Sequence, residues 1–213
     1  MRSGIRATRL TLILLALLVA ASIASADETP VIPPDMFVYC TVCHGVELKG
    51  NHVIQAPRLS GMQAWNVELQ LLAFKRGWRG THADDLVGME MQPMAAILSD
   101  KEIAEAARYV SATVSEPPTV TIIGDARRGR DLYATCQACH AADGNGVEAL
   151  GAPALTGLND WYLVRQTRNF KDGTRGSHKD DIRGAQMRAA AQVLADDDAI
   201  QDVVAYINSL RSR

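Results

Sequence analysis

Aromatic side chains are scarce in this chain of 213 residues, which has three Trp, five Tyr and three Phe. That is thin filling for two cores of about 100 residues each, where surface already dominates volume. Something other than side chains is therefore expected to occupy part of the interior. Basic charge is not in excess either, with 22 Lys and Arg against 24 Asp and Glu. No Lys/Arg cluster marks a face for phosphates, which excludes a nucleic-acid partner. Beyond the first 26 residues no apolar run approaches the roughly 20 residues that a helix needs to cross a bilayer. Cysteine is limited to four, and all fall in two identical patterns, Cys40-x-x-Cys43-His44 and Cys136-x-x-Cys139-His140. No thiol is left over for a separate disulfide or nucleophile. The rest is 47% hydrophobic and 22% charged, a globular composition that excludes a disordered, collagen-like or coiled-coil chain.

The N-terminus reads as an address. Residues 1–26 carry Arg2, Arg6 and Arg9, an apolar run from Leu10 to Ala21, and Ala24-Ser25-Ala26 before Asp27. This is the layout of a secretory signal peptide cleaved after Ala26. The run is too short for a retained membrane anchor. Cleavage would leave 19 basic and 24 acidic residues, a net charge of -5, on a product expected to be soluble after export.

An offset of 96 residues superimposes the two halves without a gap, and 22 of the 59 positions in 40–98 recur in 136–194. Matches include Gly50/Gly146, Pro57/Pro153, Trp65/Trp161, Arg79/Arg175, His82/His178 and Met91/Met187. The chain is a duplicated domain, read as domain 1 at 27–115, a linker at 116–123 and domain 2 at 124–213. Pro117-Pro118 stops the preceding helix and favours an extended connection. Val120 to Ile123 is either a short strand or a linker packed along the surface.

Within each copy the pattern is helical. A helix from Gly124 leads into the second cysteine motif with Asp125 as N-cap, whereas the lead-in Pro34 to Tyr39 allows only a turn or two before the first. Middle helices are expected over Gln63–Lys75 and Asn159–Lys171, stopped by Gly77 and Gly173. The last helices start at Ser99, with Glu102 completing a capping box, and near Asp196. The latter carries Ala199, Val203, Tyr206, Ile207 and Leu210 on one apolar stripe. Strands are not needed in either copy.

Two thiols three residues apart and followed by His form the spacing for c-type heme attachment. The thiols bond the vinyl groups and the adjacent imidazole ligates iron. A redox-active C-x-x-C is the first rival, but the flanks are helical and both motifs carry the His. A zinc site of all four cysteines is the second, and it leaves His44 and His140 unexplained. A second axial ligand is needed in each copy. Met187 is the one methionine of the second copy, and the offset carries it onto Met91, while Met89 and Met94 map onto Ala185 and Ala190. Both His-to-Met separations are 47 residues. The alternative for these methionines is core packing. His82 and His178 sit in polar Arg-Gly-(Thr/Ser)-His loops and read as surface or heme-edge residues rather than ligands. His52 has no repeat partner and reads as solvated.

With both C-x-x-C-H motifs, Ala56-Pro57-x-Leu59-x-Gly61, Ala152-Pro153-x-Leu155-x-Gly157 and the two methionines before the last helices, residues 35–213 resemble the class I c-type cytochromes of the dihaem c4 type. The resemblance implies an all-α fold of two tandem domains, each a small helical bundle around a covalently attached heme. It implies that Pro57 and Pro153 offer the carbonyl that orients the ligating imidazole. Trp65, Trp161, Arg79 and Arg175 match positions near the heme propionates, with core packing and solvated charge as the alternatives. Gly129 and Tyr133 resemble the positions where the first helix crosses the last, near Tyr206. The short lead-in before Cys40 and the repeated Arg-Gly-x-His-x-Asp-Asp loop depart from the family. The function implied is single-electron transfer by a carrier without catalysis of its own. The donor would be a dehydrogenase or a cytochrome bc1-type complex, and the acceptor an oxidase or reductase. Association with a membrane would come only through such a partner. The alternatives are a dedicated subunit of a periplasmic dehydrogenase or oxidase complex, or a dihaem enzyme such as a peroxidase or a thiosulfate-oxidising cytochrome.

Overall fold

The computed structural model describes residues 33–211, so the leader read at 1–26 lies outside the described residues. Among the described residues eight α-helices run in chain order: α1 Val38–His44, α2 Ala64–Lys75, α3 Leu86–Ala96, α4 Asp100–Ala112, α5 Ala126–His140, α6 Asp160–Lys171, α7 Ile182–Ala191 and α8 Asp197–Leu210. Among the described residues β-pairing is limited to two isolated bridges, Asn51 with Ala56 and Val147 with Ala152. No described helix is long and apolar enough to cross a membrane.

The caps explain where these helices begin. The Ser99 hydroxyl accepts from the Glu102 N–H while the Glu102 carboxylate accepts from the Ser99 N–H, so two otherwise orphaned donors are satisfied reciprocally at the start of α4. Asp125 accepts from the N–H groups of Arg127 and Arg128 at the start of α5, and Asp196 from Ala199 at the start of α8. The expected starts of these helices therefore stand. The expected middle helices stand to within one residue, as α2 and α6.

Packing repeats as the sequence does. In the first copy α2 lies against α3 and α4, and in the second α6 lies against α7 and α8. The stripe of α8 is buried through Ala199, Val203, Ile207 and Leu210, with Tyr206 packed at its margin. The long α5 crosses α8 at Gly129, where any β-carbon would collide with the Asp202 carbonyl. Tyr133, one helical turn on, meets the Tyr206 ring at 5.3 Å. Among the described residues the first copy has a single 3-10 turn, Asp35–Phe37, before α1, and it keeps the aromatic pair. Phe37 stacks on Tyr109 at 5.1 Å.

Residues 113–125 carry no regular structure, so Val120 to Ile123 is a packed connection rather than a strand. Both copies hold it. Arg58 donates to the carbonyls of Ser115 and Glu116 at 2.9 and 2.5 Å. The fully buried Asp160 accepts from the Thr121 N–H and hydroxyl, the Ile122 N–H and the Asn208 amide. Burial alone would raise the Asp160 carboxyl, but the bonds from Thr121, Ile122 and Trp161 outweigh it and hold the pKa below the ordinary value. A carboxyl lowered by folding stabilises the fold above its unfolded value of about 3.9, and that contribution is lost as pH falls through the lower folded value. Asp160→Asn is expected to lower the unfolding free energy at pH 7 by about 2–3 kcal/mol. The deficit should shrink below about pH 4, as denaturant titrations at several pH values would show. An equal deficit at pH 7 and at pH 3 would refute this account.

Candidate functional site

Each C-x-x-C-H motif occupies the C-terminal end of a helix, α1 in the first copy and α5 in the second, so one turn presents two thiols and an imidazole together. Cys40 and Cys136 are half-buried, and burial pushes their thiols up. Cys43 and Cys139 are exposed. The imidazoles of His44 and His140 turn inward and are buried. His44 Nδ1 lies 2.6 Å from the Pro57 carbonyl and His140 Nδ1 lies 2.8 Å from the Pro153 carbonyl. A carbonyl only accepts, so Nδ1 carries the proton and Nε2 keeps its lone pair for a metal. Burial lowers both histidines below their ordinary value, which keeps them neutral as a ligand must be.

The methionines lie on α3 and α7, two helices that the periodicity of the sequence does not reveal. In Leu86–Ala96 apolar residues run almost continuously and Pro93 stands inside the helix, so no amphipathic stripe forms. The signal available is the cap, since Asp85 accepts from the Gly88 N–H at 3.1 Å and Asp181 from the Gly184 N–H at 2.8 Å. The repeated Arg-Gly-x-His-x-Asp-Asp loop therefore ends by starting the helix that carries the methionine. On α3, Met91 packs against the core of the first copy while Met89 and Met94 are exposed. On α7, Met187 shares one cavity with Cys136, Cys139 and His140. His82 and His178 do not enter a cluster with the other histidines, and each Nδ1 accepts from the N–H two residues on, at Asp84 and Asp180. His178 in addition stacks on Trp78 of the other copy.

The cavity around Met187 is mostly apolar, and both copies contribute walls, with Trp78 and Arg79 from the first and Phe170 and Ile207 from the second. At the boundary Arg79 donates to Gln70 (2.7 Å) and Gln166 (3.3 Å), and Arg175 donates to Gln166 (2.5 Å) and Gln70 (3.0 Å). Each guanidinium also sits 4.2 Å over a ring of its own copy, Phe74 or Phe170. Two cations thus face each other with neutral amides between them, and among the described residues no carboxylate is bonded to either, although Asp85 and Asp181 lie near enough to act on Arg175. Burial, with Arg79 alongside, pushes the Arg175 guanidinium down to about 9. Nε of both arginines and Nε1 of Trp65 are buried without a hydrogen-bond partner among the described residues. Buried orphan donors are costly and call for an acceptor, and for the two arginines an anion. A porphyrin with two carboxylates, two thioether bonds and an axial imidazole fits this donor set. Trp161 is not among the residues lining the cavity. Its ring meets His52 at 5.2 Å, and the Arg165 guanidinium lies over it. The exposed His52, without a repeat partner, thus has one contact across the boundary that the sequence did not announce.

Comparisons with known proteins agree with this geometry. The family model for cytochrome c matches residues 36–113 and 126–211. The chain is 50% identical over 185 residues to the thiosulfate dehydrogenase electron acceptor of Thiomonas intermedia, covering 76% of this chain and 80% of that one. It is 30% identical over 186 residues to cytochrome c4 of Stutzerimonas stutzeri, covering 80% and 84%. The crystal structure of reduced recombinant cytochrome c4 from Pseudomonas stutzeri superimposes with a TM-score of 0.62 at 26% identity, covering 80% of this chain and 93% of that one. With two attachment motifs in two repeated helical domains, the chain belongs to the cytochrome c family and is an electron-transfer protein of the dihaem c4 type, with covalently bound c-type hemes.

Proposed function

We propose that this protein acts in the periplasm as the electron acceptor of a thiosulfate-oxidising dehydrogenase and passes single electrons onward to an oxidase or reductase. In this reading residues 27–115 and 124–213 are its two heme domains, joined by 116–123. His44 and Met91 would hold one iron, and His140 and Met187 the other. The observation that carries the reading is the repeated, buried imidazole with Nδ1 committed to a prolyl carbonyl, together with Met187 in the same cavity as His140. The thiosulfate donor is supported by the 50% identity to the thiosulfate dehydrogenase electron acceptor of Thiomonas intermedia.

When bound, each heme supplies one-electron exchange between ferric and ferrous iron. Cys40, Cys43, Cys136 and Cys139 anchor the hemes, and the prolyl carbonyls fix tautomer and ring orientation. Met91 and Met187 would supply the second protein ligand to each iron, which would leave no iron position open to a substrate and suits a carrier of electrons. Arg79, Arg175 and Trp65, whose buried donors lack a partner, would donate to the heme carboxylates, through a charge-assisted bond for the arginines. Trp161, matched by the resemblance to the same role, instead packs against His52 and Arg165 at the boundary. Oxidative coupling of two thiosulfates releases two electrons, which matches two one-electron sites in one chain.

Oxidised protein mixed with thiosulfate and a purified thiosulfate dehydrogenase is expected to develop the ferrous α-band at a rate proportional to enzyme concentration, and to stay oxidised with thiosulfate alone. If the enzyme leaves both hemes ferric while dithionite reduces them, this donor is wrong.

A further inference from the structure

The boundary between the two copies has a pseudo-twofold pattern in which equivalent residues exchange equivalent bonds. The N-cap residues of α2 and α6, Gln63 and Asn159, make no side-chain bond to their own helices. Each reaches into the other copy instead. The Arg58 N–H donates to Asn159 Oδ1 at 2.6 Å, and the Ala154 N–H donates to Gln63 Oε1 at 2.8 Å. Residues 58 and 154 occupy equivalent positions but are Arg and Ala, so what recurs is the backbone N–H.

These two N–H groups belong to the peptide units whose carbonyls are those of Pro57 and Pro153. The same units accept Nδ1–H from His44 and His140. Each unit is also backed by a glycine, Gly50 or Gly146, whose missing β-carbon would otherwise collide with it. The peptide is thus held on one face by a glycine of its own copy, bonded at its oxygen to its own imidazole, and bonded at its nitrogen to the other copy. A peptide bonded at its N–H is polarised toward its oxygen and becomes a better acceptor, since hydrogen bonds in a chain strengthen one another. A stronger acceptor at Nδ1–H makes the imidazole a more basic ligand.

We propose that Asn159 and Gln63 are positioning residues acting crosswise, so that Asn159 of the second copy tunes the heme held by His44 and Gln63 of the first copy tunes the heme held by His140. This rests on the ligand assignment above. A more electron-rich imidazole favours ferric iron, so removing the distant amide raises the potential of the opposite heme. Each domain thereby senses whether its neighbour is docked, and the two potentials depend on the boundary as well as on each pocket.

The test uses the heme-loaded protein, titrated spectroelectrochemically as wild type, Asn159→Ala and Gln63→Ala. The hemes are told apart by the NMR methyl signals of their axial methionines, which Met91→Ala and Met187→Ala delete one at a time. Asn159→Ala is expected to shift the reduction equilibrium of the His44 heme toward ferrous by two- to fourfold, about 18–36 mV at 59 mV per tenfold. The His140 heme should stay unchanged, and the His44 Nδ1–H resonance of the ferrous state should move upfield. Gln63→Ala should give the mirror result, so either variant suffices if the other fails to fold. Asn159→Gln keeps the amide type used at the equivalent position and should restore the wild-type value. Gln55→Asn, which loosens the neutral side of the Arg165 contact across the same boundary, should shift neither heme. A shift confined to the heme of the mutated copy, equal shifts in both, or none would overturn the inference. Absence of axial methionine signals from the wild type would instead defeat the ligand assignment and this inference with it.

Discussion

A variant with Cys40, Cys43, Cys136 and Cys139 all replaced by alanine, and so without attached heme, is expected to show no cooperative thermal unfolding transition. The cavity around Met187 measures about 240 Å³. An unfilled apolar cavity costs about 24 cal/mol per Å³, so leaving this one empty would cost up to about 6 kcal/mol. That is comparable with the roughly 5–15 kcal/mol by which small domains are stable at all. The side chains available cannot close the gap, because the chain has only 11 aromatics to distribute over two copies. Arg79 and Arg175 would add to the cost, since without an anion they face each other across Gln70 and Gln166. Circular dichroism and calorimetry on the variant check this directly. A sharp melt with a calorimetric enthalpy of folded-protein size would show that the helices pack without the porphyrin.

Met187→Ala and Met91→Ala are each expected to abolish one of two near-infrared charge-transfer bands of Met-ligated ferric heme and to leave the other. A thioether trans to imidazole favours ferrous iron, so the potential of the affected heme should fall by on the order of 100 mV. Met89→Ala is the control, because Met89 is exposed on the outer face of α3 while Met91 packs against the core. It should leave both bands intact. A wild-type protein with a high-spin heme, or a Met187→Ala variant retaining both bands, would remove the axial role assigned to the methionines.

The features legible from residues alone are those set by short-range chemistry. The attachment motifs, the capping box at Ser99, the cap at Asp125 and the apolar stripe of α8 all depend on residues within a few positions of one another, and all recur in the folded chain. The repeat supplied a second kind of signal, because an offset of 96 residues pairs Met91 with Met187 and sets Met89 and Met94 aside. Helices α3 and α7 escaped notice because they lack amphipathic spacing and are started by an Asp inside what reads as a loop. His52 read as solvated because nothing near it in sequence hints at Trp161, 109 residues away.

By itself the sequence determined a duplicated helical domain and two C-x-x-C-H motifs with an imidazole at each, while the prolyl carbonyl beside each imidazole came from the family resemblance and is seen in the fold. Only the tertiary structure decided how the copies meet. It brings Arg79 to Gln166 and Arg175 to Gln70, and lays Asn159 and Gln63 against the peptides that hold the opposite histidines. The physical reason is range. Caps, turns and attachment motifs are satisfied within a helical turn of their own residue, whereas these bonds join partners separated by 87 to 105 residues. They exist only after each copy has folded and presented a surface that matches its twin.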